Sequence, residues 1–267
     1  MITRSCSVKG KAMKVLAVPA FQDNYLWVLH NAAGQAWVVD PGDAAPVEAA
    51  LAAHGLSLEG VLITHHHFDH TGGALQLAGD ERPIYGPKNS PFEGITHPLE
   101  DGAQLDLGTS TFEVIAVPGH TLDHIAYYCS EESIVFCGDT LFAGGCGRMF
   151  EGTAEQMHGS LQRLAALPEA TQVYCAHEYT LANLRFAVTV EPANEALLAR
   201  QREAEALRER GEATVPSTLG LERATNPFLR TEAPAVQAAL LAEMGPGLTE
   251  GSPSDRFGAL RRWKDRF

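Results

Sequence analysis

The sequence predicts an α/β protein in which mixed β-sheets are covered by helices. Short β-branched and aromatic runs bounded by turn residues come first as hairpins and later alternate with helical segments. The chain has 267 residues, 45% of them hydrophobic, which is enough for one large domain with or without a smaller one. No apolar run approaches the roughly 20 residues that cross a bilayer, so we expect no membrane-spanning segment.

The amino-terminal part is predicted to form strands. Residues 1–12 contain a few cations but lack the apolar core of a secretion signal, and we interpret them as a dispensable extension or the result of an upstream start, in preference to a short organelle presequence. A strand-like run follows over residues 14–18. Two further apolar runs, 25–29 and 36–39, are separated by the turn Asn31–Gly34, which predicts a hairpin.

Helices are predicted after the hairpin. The Ala- and Leu-rich segment 46–54 ends before Gly55, a residue type that commonly follows a helix. The segment Thr153-Ala-Glu-Gln156 has the spacing of a capping box and begins a helix to about Leu167. Residues 191–210 are rich in Ala, Leu, Glu and Arg and contain no strand-like run, which predicts a helical region towards the C-terminus.

The charge of the chain argues against one broad class of function. Twenty Lys and Arg residues against 33 Asp and Glu residues give a formal net charge of −13. Nucleic-acid binding rests on a basic face that releases counterions, so we expect no nucleic-acid partner, and anionic lipid headgroups should repel the chain. The five cysteines are odd in number and form no Cys-x-x-Cys pair, which fits a reducing compartment. We therefore expect a soluble, cytoplasmic protein.

Four separate apolar runs end directly in residues that can bind a metal ion. They precede, in order, the segment His65-His66-His67-Phe68-Asp69-His70 and then His120, Asp139 and His177. Side chains just beyond neighbouring strands lie along one edge of a sheet, where α/β folds bind ligands. Placing so many ionisable groups after a buried strand would be costly without a metal. The pattern therefore predicts a metal site at a sheet edge.

These runs supply five imidazoles and two carboxylates, without counting His66. That number exceeds one open catalytic site, which uses about three protein ligands and keeps one position for water. Two ions fit if one carboxylate bridges them, and Asp139 is the natural bridge because it arrives from its own strand. His65 and His67 can point the same way from an extended segment. Asp69 and His70 follow on the next turn and can face a second ion.

The other histidines and one cysteine are given structural interpretations. His66 lies between predicted ligands and should point away from them, and His124 has no assigned role. Structural or surface positions are expected for the other histidines, namely His30, His54, His97 and His158. Cys175 could be proposed as a nucleophile, but its apolar strand favours a place in the core.

The predicted ligands resemble those of the metallo-β-lactamase superfamily, and the chain as a whole resembles glyoxalase II, the hydroxyacylglutathione hydrolases. The superfamily resemblance rests on Thr64–His70, Gly119-His120, Gly138-Asp139 and His177. The family resemblance covers nearly all of residues 13–267 and rests on further segments: Asp23-Asn-Tyr25, Gly138–Phe142, Gly145-Cys-Gly147, His177–Thr180, Arg223–Arg230 and Arg261–Asp265.

The resemblance implies a fold and a division of the ligands. An αββα sandwich is expected over residues 13–185, followed by a small helical, substrate-binding domain over residues 186–267. Two divalent ions are implied, one held by His65, His67 and His120 and the other by Asp69, His70 and His177, with Asp139 bridging. We expect zinc, although imidazole and carboxylate ligands without a thiolate also suit iron or manganese.

The resemblance also implies the reaction. A metal-bridging hydroxide would hydrolyse S-2-hydroxyacylglutathione, typically S-lactoylglutathione, to a hydroxy acid such as lactate and glutathione, the second step of methylglyoxal detoxification. A hydroxide shared by two metals is a strong nucleophile near neutral pH. The leaving thiolate, with a pKa near roughly 8.5–9, can depart without prior protonation. We expect the protein to act as a monomer.

Glutathione carries two carboxylates, so cations must receive it. By family pattern the substrate-binding residues are Arg148, Phe150, Tyr179, Arg261 and Lys264. Many relatives have Lys and Tyr where this chain has Arg148 and Phe150. Arginine keeps the positive charge, whereas Phe150 lacks a hydroxyl and so loses one hydrogen bond to the substrate.

Three alternatives remain open. The first is another enzyme on the same scaffold, such as a persulfide dioxygenase or a lactonase. The second is a metal-binding module without catalysis, and the third is a nucleic-acid hydrolase, against which the acidic charge weighs. Activity with a redox-inert metal in the absence of oxygen would exclude the dioxygenase.

Overall fold

The computed structural model describes residues 13–245 and 251–267, so the predicted extension, residues 1–12, lies outside the described part of the chain. The strands, in chain order, are β1 Met13–Ala20, β2 Asn24–Asn31, β3 Gln35–Val39, β4 Ser57–Leu62, β5 Ile84–Pro87, β6 His97–Leu99, β7 Gln104–Asp106, β8 Thr111–Ala116, β9 Ile125–Cys129, β10 Ile134–Gly138, β11 Leu141–Phe142, β12 Gly145–Cys146, β13 Gln172–Cys175 and β14 Ser217–Thr218. The helices are α1 Ala44–His54, α2 Phe68–Thr71, α3 Ala74–Ala78, α4 Ala154–Ala165, α5 Thr180–Val190, α6 Glu195–Glu209, α7 Leu219–Thr225, α8 Pro234–Met244 and α9 Pro253–Arg266, with a 3₁₀ turn at Pro227–Leu229.

Two six-stranded sheets and one short hairpin organise these strands. The first sheet has the order β1-β2-β3-β4-β5-β6, antiparallel up to β3 and parallel from β3 onwards. The second has the order β14-β13-β10-β9-β8-β7, in which only β10 and β13 run parallel. Strands β11 and β12 form the separate hairpin. Both large sheets are mixed, and this confirms the predicted α/β class.

Alternate residues of the first sheet face two different cores. In β2, Trp27 and Leu29 belong to the core that extends into the second sheet, whereas Leu26 and Val28 pack with apolar residues of α1 and α3. Successive side chains of a strand point to opposite faces, so this division means that both faces are covered. The second sheet shares its core with α4 and α9. The layers are therefore helix, sheet, sheet and helix, as expected.

The predicted hairpin and the first two helices are confirmed at nearly the predicted bounds. Strands β2 and β3 pair antiparallel, with Trp27 opposite Val39. Helix α1 begins two residues earlier than predicted because the Asp43 side chain caps it, and it ends at Gly55 with a left-handed φ of 63°. Helix α4 has the capping box of Thr153 and Gln156.

The carboxy-terminal region is helical, as predicted, although its helices begin at different residues. Helix α5 spans the predicted domain boundary at residue 185. Helix α6 begins at Glu195 rather than at residue 191, because Asn194 caps it and Pro192 lies in the preceding break. Among residues 13–245 and 251–267, no helix combines the length and the apolar character that crossing a membrane requires.

The β11–β12 hairpin is held by side chains of the helical region. Asn226 donates from Nδ2 to the carbonyls of Phe142 and Gly145, at 3.3 and 2.9 Å. The Glu222 carboxylate accepts from the Gly144 N–H at 2.9 Å. Asn183 of α5 donates to the Ala143 carbonyl at 3.0 Å. Each bond fixes a backbone group of the hairpin, so its position depends on the helices.

A buried ion pair lies behind this hairpin. Glu222 is fully buried and accepts hydrogen bonds from Arg200 of α6 and from the Ser217 hydroxyl. Arg200, itself 6% exposed, also donates to the Thr225 hydroxyl at 2.7 Å. With these partners both charges are hydrogen-bonded away from water, which makes the pair sensitive to the loss of either member.

The substitution Glu222→Gln should therefore lower the free energy of unfolding by about 3–5 kcal/mol, because it leaves the Arg200 guanidinium buried without a counter-charge. Urea unfolding followed by circular dichroism measures this. The matched control is Glu212→Gln, which removes a carboxylate from the exposed pair with Arg210 and should change the midpoint little. Equal midpoints for the two variants would contradict the role given to the buried pair.

Candidate active site

The seven predicted ligands lie together where the two sheets meet. His65 and His67 follow β4 of the first sheet, and α2 carries Asp69 and His70 directly after them. The other three ligands follow strands β8, β10 and β13 of the second sheet, namely His120, Asp139 and His177. Each sheet thus contributes ligands from its own edge, and the site exists only because the sheets face each other.

The ligand atoms form overlapping groups in which all atoms lie within 4.8 Å of one another. We call His65, His67 and His120 the three-histidine group, and Asp69, His70 and His177 the aspartate group. Within the three-histidine group, His120 Nε2 lies 3.0 Å from His67 Nδ1. This division is the one that the family resemblance implies.

The Asp139 carboxylate lies between the two groups. One of its oxygens, Oδ2, is 3.4 Å from Nε2 of both His120 and His177. The other, Oδ1, is 3.5 Å from His70 Nε2. A carboxylate that contacts ligands of both groups has the geometry expected of a bridge.

Unpaired polar atoms show that these residues fit a metal centre. His65 Nε2, His70 Nε2 and Asp139 Oδ1 are buried and have no hydrogen-bond partner among the described residues. A buried polar atom without a partner costs about 1–3 kcal/mol. Three such atoms converge here, all of them able to donate a lone pair. Bound cations would satisfy all three.

The electrostatics of the group favour the metal-binding forms of two of its side chains, His65 and Asp139. Burial, reinforced by the neighbouring His70 and His124, lowers the pKa of His65, so its imidazole is neutral at neutral pH. Burial raises the pKa of Asp139, but the imidazoles of His70 and His177 outweigh it and hold the carboxyl well below its usual range. A neutral imidazole and an ionised carboxylate are the forms that bind metals. Burial lowers the pKa of His177, but the carboxylates of Asp139, Asp69 and Asp23 outweigh it and raise the pKa to about 11, so a cation that binds this imidazole displaces a proton.

A second set of groups orients the imidazoles from behind. Four nitrogens that face away from the centre contact a neighbouring oxygen: His65 Nδ1 with Thr64 Oγ1 at 3.1 Å, His70 Nδ1 with Asp40 Oδ2 at 3.0 Å, His120 Nδ1 with the Arg148 carbonyl at 2.8 Å, and His177 Nδ1 with Asp23 Oδ1 at 2.8 Å. Such contacts fix the tautomer and the ring orientation of a ligand.

Sequence reasoning gave no role to several of these supporting residues. Asp40 also accepts hydrogen bonds from the backbone N–H and the hydroxyl of Thr64, both at 2.7 Å. A signal for it existed, because Asp40 directly follows an apolar strand, as the predicted ligands do. His124 accepts from the Asp139 N–H at 3.1 Å and stacks on His65 with ring centroids 4.5 Å apart. It therefore supports the bridge and one ligand together.

His66 points away from the centre, as expected from its place between ligands. Its Nδ1 contacts Asp123 Oδ1 at 2.9 Å, and its Nε2 contacts Glu151 Oε1 at 3.3 Å. The two carboxylates lie at opposite nitrogens of one ring, so they connect the His65–His70 segment to two neighbouring loops.

A cavity of about 410 Å³ opens beside the metal ligands. His120 and Asp139 form one wall, and all five predicted substrate-binding residues contribute to the lining: Arg148, Phe150, Tyr179, Arg261 and Lys264. Phe150 contacts His120 edge to face, with centroids 5.2 Å apart, and Tyr179 stacks on His177 at 4.7 Å. The structure thus brings the predicted substrate residues and two of the predicted metal ligands, His120 and Asp139, to one cavity.

The two cations of α9 that line the cavity, Arg261 and Lys264, differ in the hydrogen bonds that they form within the protein. Arg261 is 3% exposed and donates to the Cys146 carbonyl at 3.0 Å and to Asp265 at 2.7 Å, although its buried Nε has no partner among the described residues. Lys264 donates to the neutral Asn183 Oδ1. Burial, followed by the charge of Arg261, lowers the pKa of Lys264 to about 8. A desolvated ammonium with a neutral partner is suited to receive a carboxylate.

Comparison with known proteins identifies the family. The model of the Metallo-beta-lactamase superfamily matches residues 19–177, and the model of the Hydroxyacylglutathione hydrolase C-terminus matches residues 178–267. The chain is similar to the hydroxyacylglutathione hydrolase of Alkalilimnicola ehrlichii, with 55% identity over 95% of this chain and 99% of that protein. The chain belongs to the hydroxyacylglutathione hydrolase family.

Further relatives agree with this family. The hydroxyacylglutathione hydrolase of Ectopseudomonas mendocina is 52% identical over 96% of this chain and all of that protein. Among solved structures, that of TTHA1623 in a di-iron-bound form superposes with a TM-score of 0.59 and 27% identity, over 81% of this chain and all of that one. The two family models meet at residues 177 and 178, just before α5.

Cys175 lies in the core, as its apolar strand predicts. It is fully buried, and burial raises its pKa to about 12. We expect Cys175→Ala to leave kcat within about twofold, since an inert buried thiol contributes packing and not chemistry. Steady-state kinetics on a glutathione thioester measures this, with thermal unfolding as the control for folding. A 100-fold loss in a folded variant would make the thiol a nucleophile.

Proposed function

We propose that the protein hydrolyses S-2-hydroxyacylglutathione thioesters, S-lactoylglutathione among them, to the hydroxy acid and glutathione, the second step of methylglyoxal detoxification. One observation carries the proposal: a single cavity is lined both by two predicted metal ligands, His120 and Asp139, and by two cations of α9, Arg261 and Lys264. The first feature suits hydrolysis of an acyl group, and the second suits an anionic peptide. Family membership supports the same reaction.

We propose that two divalent ions complete the site. The three-histidine group would hold one and the aspartate group the other, with Asp139 in contact with both. Zinc is the first choice, with iron and manganese as alternatives for this set of imidazoles and carboxylates. When bound, the ions would supply a strong nucleophile at neutral pH and stabilise the charge that develops on the thioester oxygen.

The residues of the chain bind and orient the substrate. The thioester carbonyl would lie beside Asp139 and His120, because these are the predicted metal ligands that line the cavity. The Lys264 ammonium then faces a glutathione carboxylate, and Arg148 offers a largely exposed guanidinium at the same cavity. The leaving thiolate needs no proton from the protein, so the absence of a dedicated general acid from this scheme agrees with thioester chemistry.

The deciding experiment joins an activity assay to metal analysis of the same sample. Protein loaded with zinc should hydrolyse S-lactoylglutathione in the absence of oxygen, with two ions per chain. Oxygen-free activity with a redox-inert metal excludes a dioxygenase, and turnover excludes a module that only binds metal. Metal-loaded protein that leaves this thioester intact while it hydrolyses a lactone would overturn the substrate assignment.

The pH dependence of substrate binding should follow Lys264. Its pKa of about 8 means that the side chain is charged below that pH and loses its charge as the pH rises through it. We therefore expect kcat/KM, which reports groups of the free enzyme, to fall above pH 8. The measurement is a profile of kcat/KM from pH 6 to 10, corrected for spontaneous hydrolysis. A variant without the ammonium should lack this fall; an unchanged profile would assign it to another group.

We also propose a cytoplasmic location and a monomeric state. The four cysteines in the described residues, Cys129, Cys137, Cys146 and Cys175, are free, as a reducing compartment allows. One chain brings two predicted metal ligands and the proposed substrate-binding cations to the same cavity, which supports a site that a monomer can form.

A further inference from the structure

The two groups of ligands are supported by side chains of different charge. Behind the aspartate group stand two carboxylates, Asp40 at His70 and Asp23 at His177. Behind the three-histidine group stand neutral oxygens, the Thr64 hydroxyl at His65 and a backbone carbonyl at His120. The aspartate group also includes a carboxylate among its own ligands. Asp139 contacts both groups, so its negative charge does not cancel the difference in charge between them.

The dipeptide Asp23-Asn24 supports two ligands of the aspartate group at once. Asp23 contacts His177, and Asn24 donates from Nδ2 to Asp69 Oδ2 at 3.0 Å. Asn24 is 6% exposed and forms an isolated antiparallel bridge with His177. One ligand comes from the first sheet and the other from the second, so the dipeptide fixes the distance between them.

The backbone around this dipeptide is itself held in place. The Tyr25 N–H donates to the Ala176 carbonyl at 2.7 Å, and the Glu178 N–H donates to the Asp23 carbonyl at 2.8 Å. The Tyr25 hydroxyl donates to the Glu178 carboxylate at 3.0 Å. These bonds join the start of β2 to the segment after β13. The supporting side chains are thus oriented before any ion arrives.

We propose that the two metal positions are unequal, that the aspartate group binds its divalent ion more tightly, and that Asp23 is a positioning residue that produces part of this difference. A carboxylate that accepts the distal N–H of an imidazole makes that imidazole a stronger donor to a metal. Without counting Asp139, three carboxylates act directly on the aspartate group: Asp69 as a predicted ligand, and Asp40 and Asp23 as partners of imidazoles. The three-histidine group has no such direct carboxylate among the described residues, since Asp40 reaches His65 only through the Thr64 hydroxyl. The inference rests on the proposed function, because it assumes that both groups bind metal.

Cobalt titration followed by proton NMR tests which position fills first. Imidazole N–H protons of residues bound to Co²⁺ are shifted far outside the normal range. The aspartate group contributes two such protons, from His70 and His177, whereas the three-histidine group contributes three. We expect two shifted signals at one equivalent of Co²⁺ and five at two equivalents. Three signals at one equivalent would overturn the proposal.

The variant Asp23→Asn tests the positioning residue directly. It keeps an oxygen near His177 but removes the charge, and it should weaken the tighter binding step by about 10–100-fold, measured by competition with a chelator. The shifted His177 signal should move or disappear, which a general loss of stability would not cause. The matched control is Asp123→Asn, since Asp123 contacts a nitrogen of His66, which is not a predicted ligand. This control should leave the dissociation constants of both metal-binding steps unchanged.

The outcomes separate this inference from the proposed function. Two equal dissociation constants that Asp23→Asn does not alter would refute the inequality while leaving thioester hydrolysis intact. Two bound ions without hydrolysis would refute the function alone. If the chain bound a single ion, the two-ion proposal would fail. The number of shifted signals would still show whether that ion lies at His70 and His177, as the inference requires, or at the other group.

Discussion

Replacing Asp139 by Asn should leave fewer than two ions per chain and lower kcat/KM by about 10²–10³-fold, the range for loss of one preorganised electrostatic group. The Asp139 oxygens lie 3.4–3.5 Å from nitrogens of both ligand groups. An amide offers one oxygen and no charge, so it cannot serve both positions. Metal analysis and thioester hydrolysis on the same preparation measure the two effects together.

The control for this substitution is Asp80→Asn, at an exposed carboxylate outside the site. It should retain two ions and full activity. The backbone N–H of residue 139 still donates to His124 in Asp139→Asn, so the loop should keep its support. Retention of both ions with full turnover in Asp139→Asn would refute the bridging role.

Lys264→Met should raise KM for glutathione thioesters by about 10–100-fold while kcat changes much less, because a charge-assisted hydrogen bond of about 1.5–3 kcal/mol is lost away from the reacting carbon. Methionine fills a similar volume beside Phe228 and removes the charge together with the hydrogen bond that Lys264 donates to Asn183. Arg262→Met is the matched control, since Arg262 is an exposed cation on the same helix and should not affect KM. A large fall in kcat with constant KM would assign Lys264 to the chemical step.

Arg261→Ala should raise KM more than it lowers kcat, but it should also destabilise the protein. Its guanidinium donates to the Cys146 carbonyl in β12 and lies over the Phe228 ring at 5.4 Å. Truncation therefore removes structural contacts together with a charge. Lys264 is the cleaner probe of substrate binding for this reason.

The residues of the candidate metal site could be predicted from the sequence because each of the four segments that carry them follows an apolar strand, which is a local feature. Strand ends of one sheet lie near each other whatever the packing of the rest. The hairpin of β2 and β3 and the capped helices α1 and α4 depend on short-range signals in the same way. The meeting of the segment His65–His70 of the first sheet with His120, Asp139 and His177 of the second depends instead on how the two sheets face each other. The family resemblance added the division of the ligands, which spacing alone left open.

The supporting groups could not be predicted in this way, because they depend on how the sheets meet. Asp23 and His177 are 154 positions apart and touch only because the start of β2 lies against the end of β13. The hydrogen bond of Arg261 to the Cys146 carbonyl and its contact with the Phe228 ring likewise depend on where α9 packs. Asp40 directly follows an apolar strand, as the predicted ligands do, so the same pattern could have indicated it. Its role is defined only by its contacts with His70 and Thr64.

The anchoring of the β11–β12 hairpin has an evolutionary consequence. The predicted metal ligands belong to the sandwich, whereas two of the proposed substrate-binding residues, Arg261 and Lys264, belong to the C-terminal helix α9. A descendant could therefore acquire a new specificity by exchanging its C-terminal helices while its chemistry stayed the same. The exchange would succeed only if the new helices supplied equivalents of Asn183, Glu222 and Asn226, since these side chains hold the hairpin that forms part of the cavity wall. A change of specificity by this route thus depends on three hydrogen-bonding side chains, of which Glu222 and Asn226 are not lining residues of the cavity.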